Sequence, residues 1–499
     1  MSLAELAAAY GVMTSYEDQE GNPVTVPDET VRRVLAAMDV PAETDAEVRT
    51  SLGETCPLPP RGWGWTAQLY ATRSRASWGI GDYGDLARLA TWSAEEGASF
   101  VLVNPLHAGR PGLPQTDSPY FPASRRFREP LYLDVEDLPE LSLLGPDDRQ
   151  RVLALGDEAR ALNERDLIDR DAVYRRKNEA LRLLFTAHRS HPHDEATEQW
   201  ARWCSGIDGQ PSEYHAWLQW LCAEQLAEAQ RCAREAGMAI GIVHDLAVGC
   251  DPDGFDALLW RDDMARGVTV GAPPDAFNTK GQDWRLPPFR PDRLRATGCA
   301  AFRDLLRANL ADAGGIRIDH AMGLFRLFWI PDGLSPAEGT YVRYPSAMML
   351  HVLVEECRRA DAIAIAEDLG TVEPGVPETL RAHGVLGSAV LWFEEDEPEA
   401  WPERTFASVT THDLPTVAAK GLDAAGTHAY VARSASLLAG IALGDAVGDP
   451  RQPNVPGDDE HPSWRIPLPV LLDDLRDHPL LRRVVAAVSE ERARQVAAG

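Results

Sequence analysis

The chain has 499 residues, 44% hydrophobic and 25% charged, which is the composition of an ordinary folded protein with enough length for a large buried core. Its net charge of −28 repels nucleic acid and anionic membrane and suits a neutral, hydroxyl-rich ligand, and no apolar run approaches the ~18 residues of a spanning helix. Seven scattered cysteines contain no Cys-x-x-Cys pair and no Cys/His cluster of metal spacing, and the N-terminus carries no basic leader, so reduced thiols and a cytoplasmic location are expected.

Two helices are predicted over residues 3–12 and 28–38, the second capped by Asp28, and a proline-rich linker follows at 52–62. Thr66–Ala71 reads as a first strand. After it, Leu86, Leu89, Ala90 and Ser93 recur at the spacing of a helix with one buried face. Phe100–Asn104 reads as a second strand. Residues 108–210 are too long for a plain connection and hold the amphipathic run 173–188, so a helical subdomain inserted at about 108–235 is expected, with a helix at 212–236. Further strands are read at Ala239–Val243, at the runs ending on Asp319 and Glu367, at Val390–Phe393, at Val409–Asp413 and within 437–445. Strands alternating with helices in this way predict an α/β protein, a (β/α)8 barrel over residues 61–499 preceded by a helical segment and linker over 1–60.

Three of these strands end on acidic residues. Gly315-Ile316-Arg317-Ile318-Asp319 alternates apolar and charged positions and is bounded by glycines; AIAIAEDLG (362–370) ends in Glu367-Asp368; FASVTTHDLP (406–415) ends in His412-Asp413. The intervals of 48 and 46 residues allow one or two strand-helix units each at the barrel repeat of roughly 30 residues. Chemistry on a parallel barrel sits at the C-terminal strand ends, so three carboxylates converge on one mouth. A structural ion pair between Arg317 and Asp319 is the plainer alternative for the first of them. A convergent set suits a retaining glycosidase or transglycosylase, with Asp319 as nucleophile and Glu367 as acid and base about 5 Å apart. Arg317, two positions back on the same face, is expected to hold the Asp319 pKa low, and neighbouring carboxylates to raise that of Glu367. Asp368 points to the other face and reads as structural. No metal or cofactor is required, because a proton activates the leaving group and the nucleophile is built in.

Longer blocks carry a resemblance. WGWTAQLYATRSRASWGIGDYGDLARLATWSAEEGASFVLVNPLHA (63–108), SPYFPASRRFREPLYLDVE (118–136), HDLAVGCDPDG (244–254), GAPPDAFNTKGQDW (271–284), LWFEED (391–396) and VGDPRQPNVPG (447–457) resemble, with the three acidic strands, amylomaltase, the 4-α-glucanotransferase of glycoside hydrolase family 77. The resemblance implies a malto-oligosaccharide or related sugar as donor and acceptor, and hydroxyl recognition of the transferred sugar by Asp413 with His412. It implies stacking by Tyr120 on the donor side and by Phe277 and Trp284 in the acceptor loop, and supporting contacts from Arg317, Asp245, Asp275, Gln282 and Asn454.

The sequence also departs from the family. The β-rich domain usual between the N-terminal helices and the barrel is missing, as are the additional helices expected between Asp413 and the last strand. Arg285, Gly457-Asp458 and Ser463-Trp464-Arg465 replace a small or polar residue, Gly-Thr and Asn-Trp-Arg. These changes lie in acceptor-side loops, so the same chemistry with a dedicated carbasugar or natural-product acceptor stands beside glucan transfer. Hydrolysis stands there too, since it differs only in whether water reaches the intermediate.

Overall fold

Eight parallel strands close into a barrel in chain order in the computed structural model, which describes residues 3–19, 21–38, 54–275 and 278–498. They are β1 (Gly62–Ala67), β2 (Phe100–Val103), β3 (Gly241–Leu246), β4 (Gly315–Ile318), β5 (Ile363–Ala366), β6 (Val385–Val390), β7 (Thr405–Ser408) and β8 (Leu438–Ala442). β8 pairs in parallel with β1, which completes the closure. Phe100, Ile365, Leu386, Phe406 and Leu438 fill the interior, so the barrel is a packed core. Gly64 is required there: a Cβ at that position would stand 2.3 Å from the Phe100 carbonyl oxygen.

The interval from Asp319 to Glu367 holds one strand-helix unit and that from Glu367 to Asp413 holds two strands, β6 and β7. Three strands begin earlier than the sequence reading placed them. Leu69–Ala71 is a 3-10 turn after β1, Leu391–Phe393 follows β6, and residues 409–413 form the loop after β7. After β1 and β6 the apolar run outlasts the ladder, and after β7 Val409 does so by one residue. Strands buried on both faces lose the alternation that would mark their ends.

The helix Tyr83–Glu95 buries Leu86, Leu89, Ala90 and Ser93 as its spacing predicts, with Asp82 accepting from the Asp85 amide as N-cap. The inserted region forms four main helices, Pro146–Arg160, Arg170–Phe185, Glu195–Asp208 and Ser212–Glu235. Lys177, on the second of them, is 1% exposed and donates to the carbonyls of Leu131 and Leu133 at 2.8 and 2.7 Å. That cation ties the insertion to the chain leaving β2.

A four-stranded antiparallel sheet beside the barrel is absent from the sequence reading. It pairs Gln282–Leu286 and Val268–Ala272, from the connection after β3, with Arg326–Pro331 and Thr340–Arg343, from the connection after β4. The N-terminal segment packs on it through Tyr16, whose ring meets Phe328 and Tyr341 at 6.0 and 5.3 Å. That segment is two helices, Leu3–Ala9 and Asp28–Ala37, joined through a small hairpin of Ser15–Glu17 and Pro23–Thr25. Asp28 is the first helical residue and not the cap; Pro27 occupies the cap position without a side-chain bond. The linker expected at 52–62 falls partly outside the described residues. Among the described residues, no helix is long and apolar enough to cross a membrane.

The C-terminal helix Pro479–Ala498 locks the barrel seam. Arg492, 4% exposed, donates to the carbonyls of Gly62 at 2.9 Å, Ser436 at 2.7 Å and Leu437 at 3.0 Å, and also reaches those of Ala432 and Ser434. One guanidinium thus holds the start of β1 to the entry of β8, where first and last strands must meet. Replacing it leaves several buried carbonyls without a donor. Arg492→Met is expected to cost about 3 kcal/mol or more, read as an earlier midpoint in urea unfolding; a midpoint equal to wild type would show that the seam closes without it.

Candidate active site

Asp319 and Glu367 each follow their strands, β4 and β5, by one residue, and Asp413 stands in the loop after β7. All three open on one cleft of about 900 Å³ at the C-terminal end of the barrel. Asp319 Oδ1 accepts from Arg317 Nη1 at 3.0 Å, but the same nitrogen lies 2.7 Å from both carboxylate oxygens of Asp245 on β3. Tyr120 O–H donates to Asp245 Oδ2 at 2.6 Å. Asp245 is 3% exposed and lies beneath the cleft, its oxygens taken by Arg317 and Tyr120, so it supports the wall and is not presented to a ligand.

Glu367 receives two backbone donors, the His320 amide at 2.8 Å on Oε2 and the Leu369 amide at 3.2 Å on Oε1. His320 adopts a left-handed φ of 46°, which turns its N–H onto the carboxylate. Asp413 is held from the late loop: Asn454 Nδ2 donates to Oδ1 at 2.5 Å and His412 Nε2 lies 3.3 Å from Oδ2. The side chain of Asp413 is 42% exposed against 19% for Asp319, so it stands furthest into the cleft.

The acid-base properties follow from this wiring. Burial raises the Asp319 pKa to about 6; Arg317 opposes the shift, while Asp245 and Glu367 add to it. This corrects the expectation that Arg317 keeps Asp319 low, because one guanidinium shared with a second and closer carboxylate does not offset the desolvation of both. Glu367 is also raised, again by burial first, against Arg317 and the two amides and with help from Asp413. Asp413 is lowered: burial would raise it, but the His412 charge and the Asn454 amide more than compensate. Its partner His412 is raised; burial opposes its charge and the adjacent Asp413 restores it.

Three residues of the loop expected to contact the sugar do face the cleft. Trp284, Gln282 and Asp275 line the cleft; Trp284 Nε1 donates to Gln282 Oε1 at 3.1 Å, and Asp275 accepts from the Asn278 amide. Phe277 lies outside the described residues. Asp368 faces away and accepts from the Ser388 amide at 2.6 Å, a structural role. Two contributors were missed. His320 meets the edge of Trp284 at 5.1 Å, and Trp464 closes an aromatic cluster with Tyr120 and His412. The block Ser463-Trp464-Arg465 was noted as a departure and carried the signal for the second; nothing in the residue type announces the turn at His320. The N-terminal hairpin also reaches the rim through Gln19.

A carboxyl whose folded pKa is raised above its unfolded value near 3.9 stabilises the fold when protonated, and that contribution is lost as pH rises through the folded value of about 6. Ionised Asp319 therefore costs stability at neutral pH. Asp319→Asn should unfold at a higher temperature than wild type at pH 7.5, by the equivalent of about 2 kcal/mol, with the gap narrowing as pH is lowered from 6 toward 4. A variant no more stable than wild type at pH 7.5 would mean that the carboxylate is well solvated or fully paired.

Comparison with known proteins agrees with this geometry. A family model described as 4-alpha-glucanotransferase matches residues 67–210 and 208–419. A 4-alpha-glucanotransferase of Mycobacterium tuberculosis (strain H37Rv) is 41% identical over 529 aligned positions, 83% of this chain and 73% of that protein. One from Haemophilus influenzae is 35% identical, over 71% of this chain and 59% of its own length. Among solved structures, amylomaltase from Corynebacterium glutamicum superposes with a TM-score of 0.88 at 31% identity, covering 97% of this chain and 99% of the other. Amylomaltase from Streptococcus agalactiae in complex with acarbose shares the fold at a TM-score of 0.74 and 16% identity, over 87% of this chain and 99% of the other. With a closed barrel, three acidic strand ends on one cleft and a family match spanning both halves of the barrel, the chain belongs to glycoside hydrolase family 77, the 4-alpha-glucanotransferases.

Proposed function

We propose that the protein is a retaining 4-α-glucanotransferase that passes α-1,4-linked glucosyl or maltosyl units between malto-oligosaccharides in the cytoplasm. The observation that carries this reading is the set of three carboxylates on one cleft, two with raised pKa values and one lowered. Residues 61–499 supply the catalytic groups, and the N-terminal segment braces the side sheet that carries Trp284.

In the first half-reaction ionised Asp319 attacks the anomeric carbon while protonated Glu367 gives its proton to the glycosidic oxygen, releasing the shortened chain and leaving a glycosyl ester. In the second, Glu367 takes the proton of the acceptor 4-hydroxyl, which displaces Asp319 and restores the α-configuration. Arg317 lines the cleft and, through Nη1 shared between Asp245 and Asp319, acts on the charge of Asp319. Asp413, ionised and exposed, with His412 beside it, is placed to bind ring hydroxyls. Tyr120 and Trp284 present ring faces to the apolar faces of the sugars.

Purified protein incubated with maltotriose should yield glucose together with a ladder of longer glucans. Maltose and glucose alone would indicate hydrolysis, and no reaction until another acceptor is supplied would indicate the dedicated-acceptor chemistry. Because Asp319 must be ionised to attack, kcat/KM should fall about tenfold per pH unit below roughly pH 6; a rate flat down to pH 4.5 would contradict the nucleophile assignment. Glu367→Gln should lose turnover of oligosaccharides yet still react once with α-maltosyl fluoride, whose leaving group needs no proton, and mass spectrometry should find the sugar on the peptide of Asp319. An adduct elsewhere, or a β-configured product, would reverse the roles.

A further inference from the structure

The late loop beside Asp413 contains a tryptophan held from outside the loop. Trp464 is 7% exposed and has a φ of 66°, the left-handed region that a bulky side chain rarely enters. Its amide donates to the Pro453 carbonyl at 2.9 Å, and its carbonyl accepts from Arg170 Nη1 at 2.7 Å. Arg170 opens the second main helix of the insertion, is 6% exposed, pairs with Asp117 at 3.3 Å and lies over the Tyr70 ring at 4.9 Å. Two residues before it, the Ile168 amide donates to the Arg465 carbonyl at 2.8 Å. The insertion thus grips two successive carbonyls, those of Trp464 and Arg465, at the strained turn.

Held this way, the indole stands 5.2 Å from the His412 ring and 5.2 Å from the Tyr120 ring, which are 5.1 Å apart. The three rings form a closed triangle on the wall of the cleft. The charged groups that act on His412 are Asp413 from its own loop, Asp245 and Arg317 from β3 and β4, and Asp319, with the Tyr120 phenol alongside. The carboxylates favour its charge and Arg317 opposes it. An aromatic neighbour favours a cation further and blocks the imidazole from swinging away from Asp413.

We propose that Trp464, locked by Arg170 of the helical insertion, is a positioning residue that holds the His412 ring against Asp413, so that the pair meets the transferred sugar in one geometry. The insertion is then a strut for the donor-side wall as well as a rim above it. This assignment rests on the glucanotransferase reading, but its first test does not use activity.

In protein labelled with 15N-histidine, His412, assigned by comparison with His412→Gln, should titrate at lower pH in Trp464→Leu than in wild type. It should stay near wild type in Trp464→Phe, which keeps a ring. With maltotriose, Trp464→Leu should lose about ten- to a hundredfold in kcat with a smaller change in KM, as expected when binding groups are present but misplaced, and Trp464→Phe should recover part of the loss. If Trp464→Leu is folded and its His412 titrates as in wild type, the proposal is wrong, whatever the activity. Equal losses in the Phe and Leu variants with an unmoved titration also overturn it. Should Trp464→Leu not fold, Arg170→Met carries the test: the tryptophan is present but unlocked, the titration should move down, and an unmoved titration refutes the strut. A wild-type protein that fails to transfer glucosyl units would overturn the functional reading and leave the titration arms to decide the placement of His412.

Discussion

One guanidinium in a mouth of carboxylates governs the site. Arg317 Nη1 is within 2.7 Å of both oxygens of Asp245 and within 3.0 Å of Asp319, with Glu367 and Asp413 nearby. Inside a barrel mouth the charges are poorly solvated, so a single cation cannot hold every carboxylate ionised. Asp245 has the shorter contacts with the cation, and burial moves Asp319 and Glu367 up. Asp319 and Glu367 are then both raised, Asp319 to about 6. That is useful in a reaction that alternates a charged nucleophile with a protonated acid.

Asp413 escapes the same fate because its partners are independent. His412 and Asn454 neutralise and bond it from the loop after β7 and from the late loop, and Arg317 adds a smaller charge effect. Two ion-pair systems therefore divide the mouth, one on β3, β4 and β5 and one on the far side. Tyr120 bridges them, with its hydroxyl on Asp245 and its ring against His412. Its phenol proton is retained because burial and the Asp245 charge push its pKa well up.

Carboxylates with raised pKa values weaken the folded state at neutral pH, and strained backbone at His320 and Trp464 weakens it further. The surrounding structure over-determines these positions. Ladder bonds place Asp319 and Glu367 at adjoining strand ends, the Ala321 amide bonds back to the Glu367 carbonyl at 2.8 Å, and Arg170 and Pro453 fix the turn at Trp464. Arg492 closes the barrel on which this geometry depends.

The sequence by itself determined the barrel class, the number of barrel strands and the three carboxylates at their exits, because period-two patterns running toward a carboxylate are local and a parallel barrel presents every strand exit on one face. It also determined that Asp368 faces away from Glu367, since alternation along a strand is local too. Where strands stop was not legible, because fully buried strands run without alternation into apolar loops at Leu391–Phe393 and Val409. Only the tertiary structure decided the pKa of Asp319. Arg317 two positions away predicts a lowered value, and the reversal comes from Asp245, 74 positions upstream in the chain, and from burial. The side sheet, the Trp464 contact with His412 and the Arg492 seam are likewise pairings between distant segments. Their partners are chosen by packing, which no local pattern records.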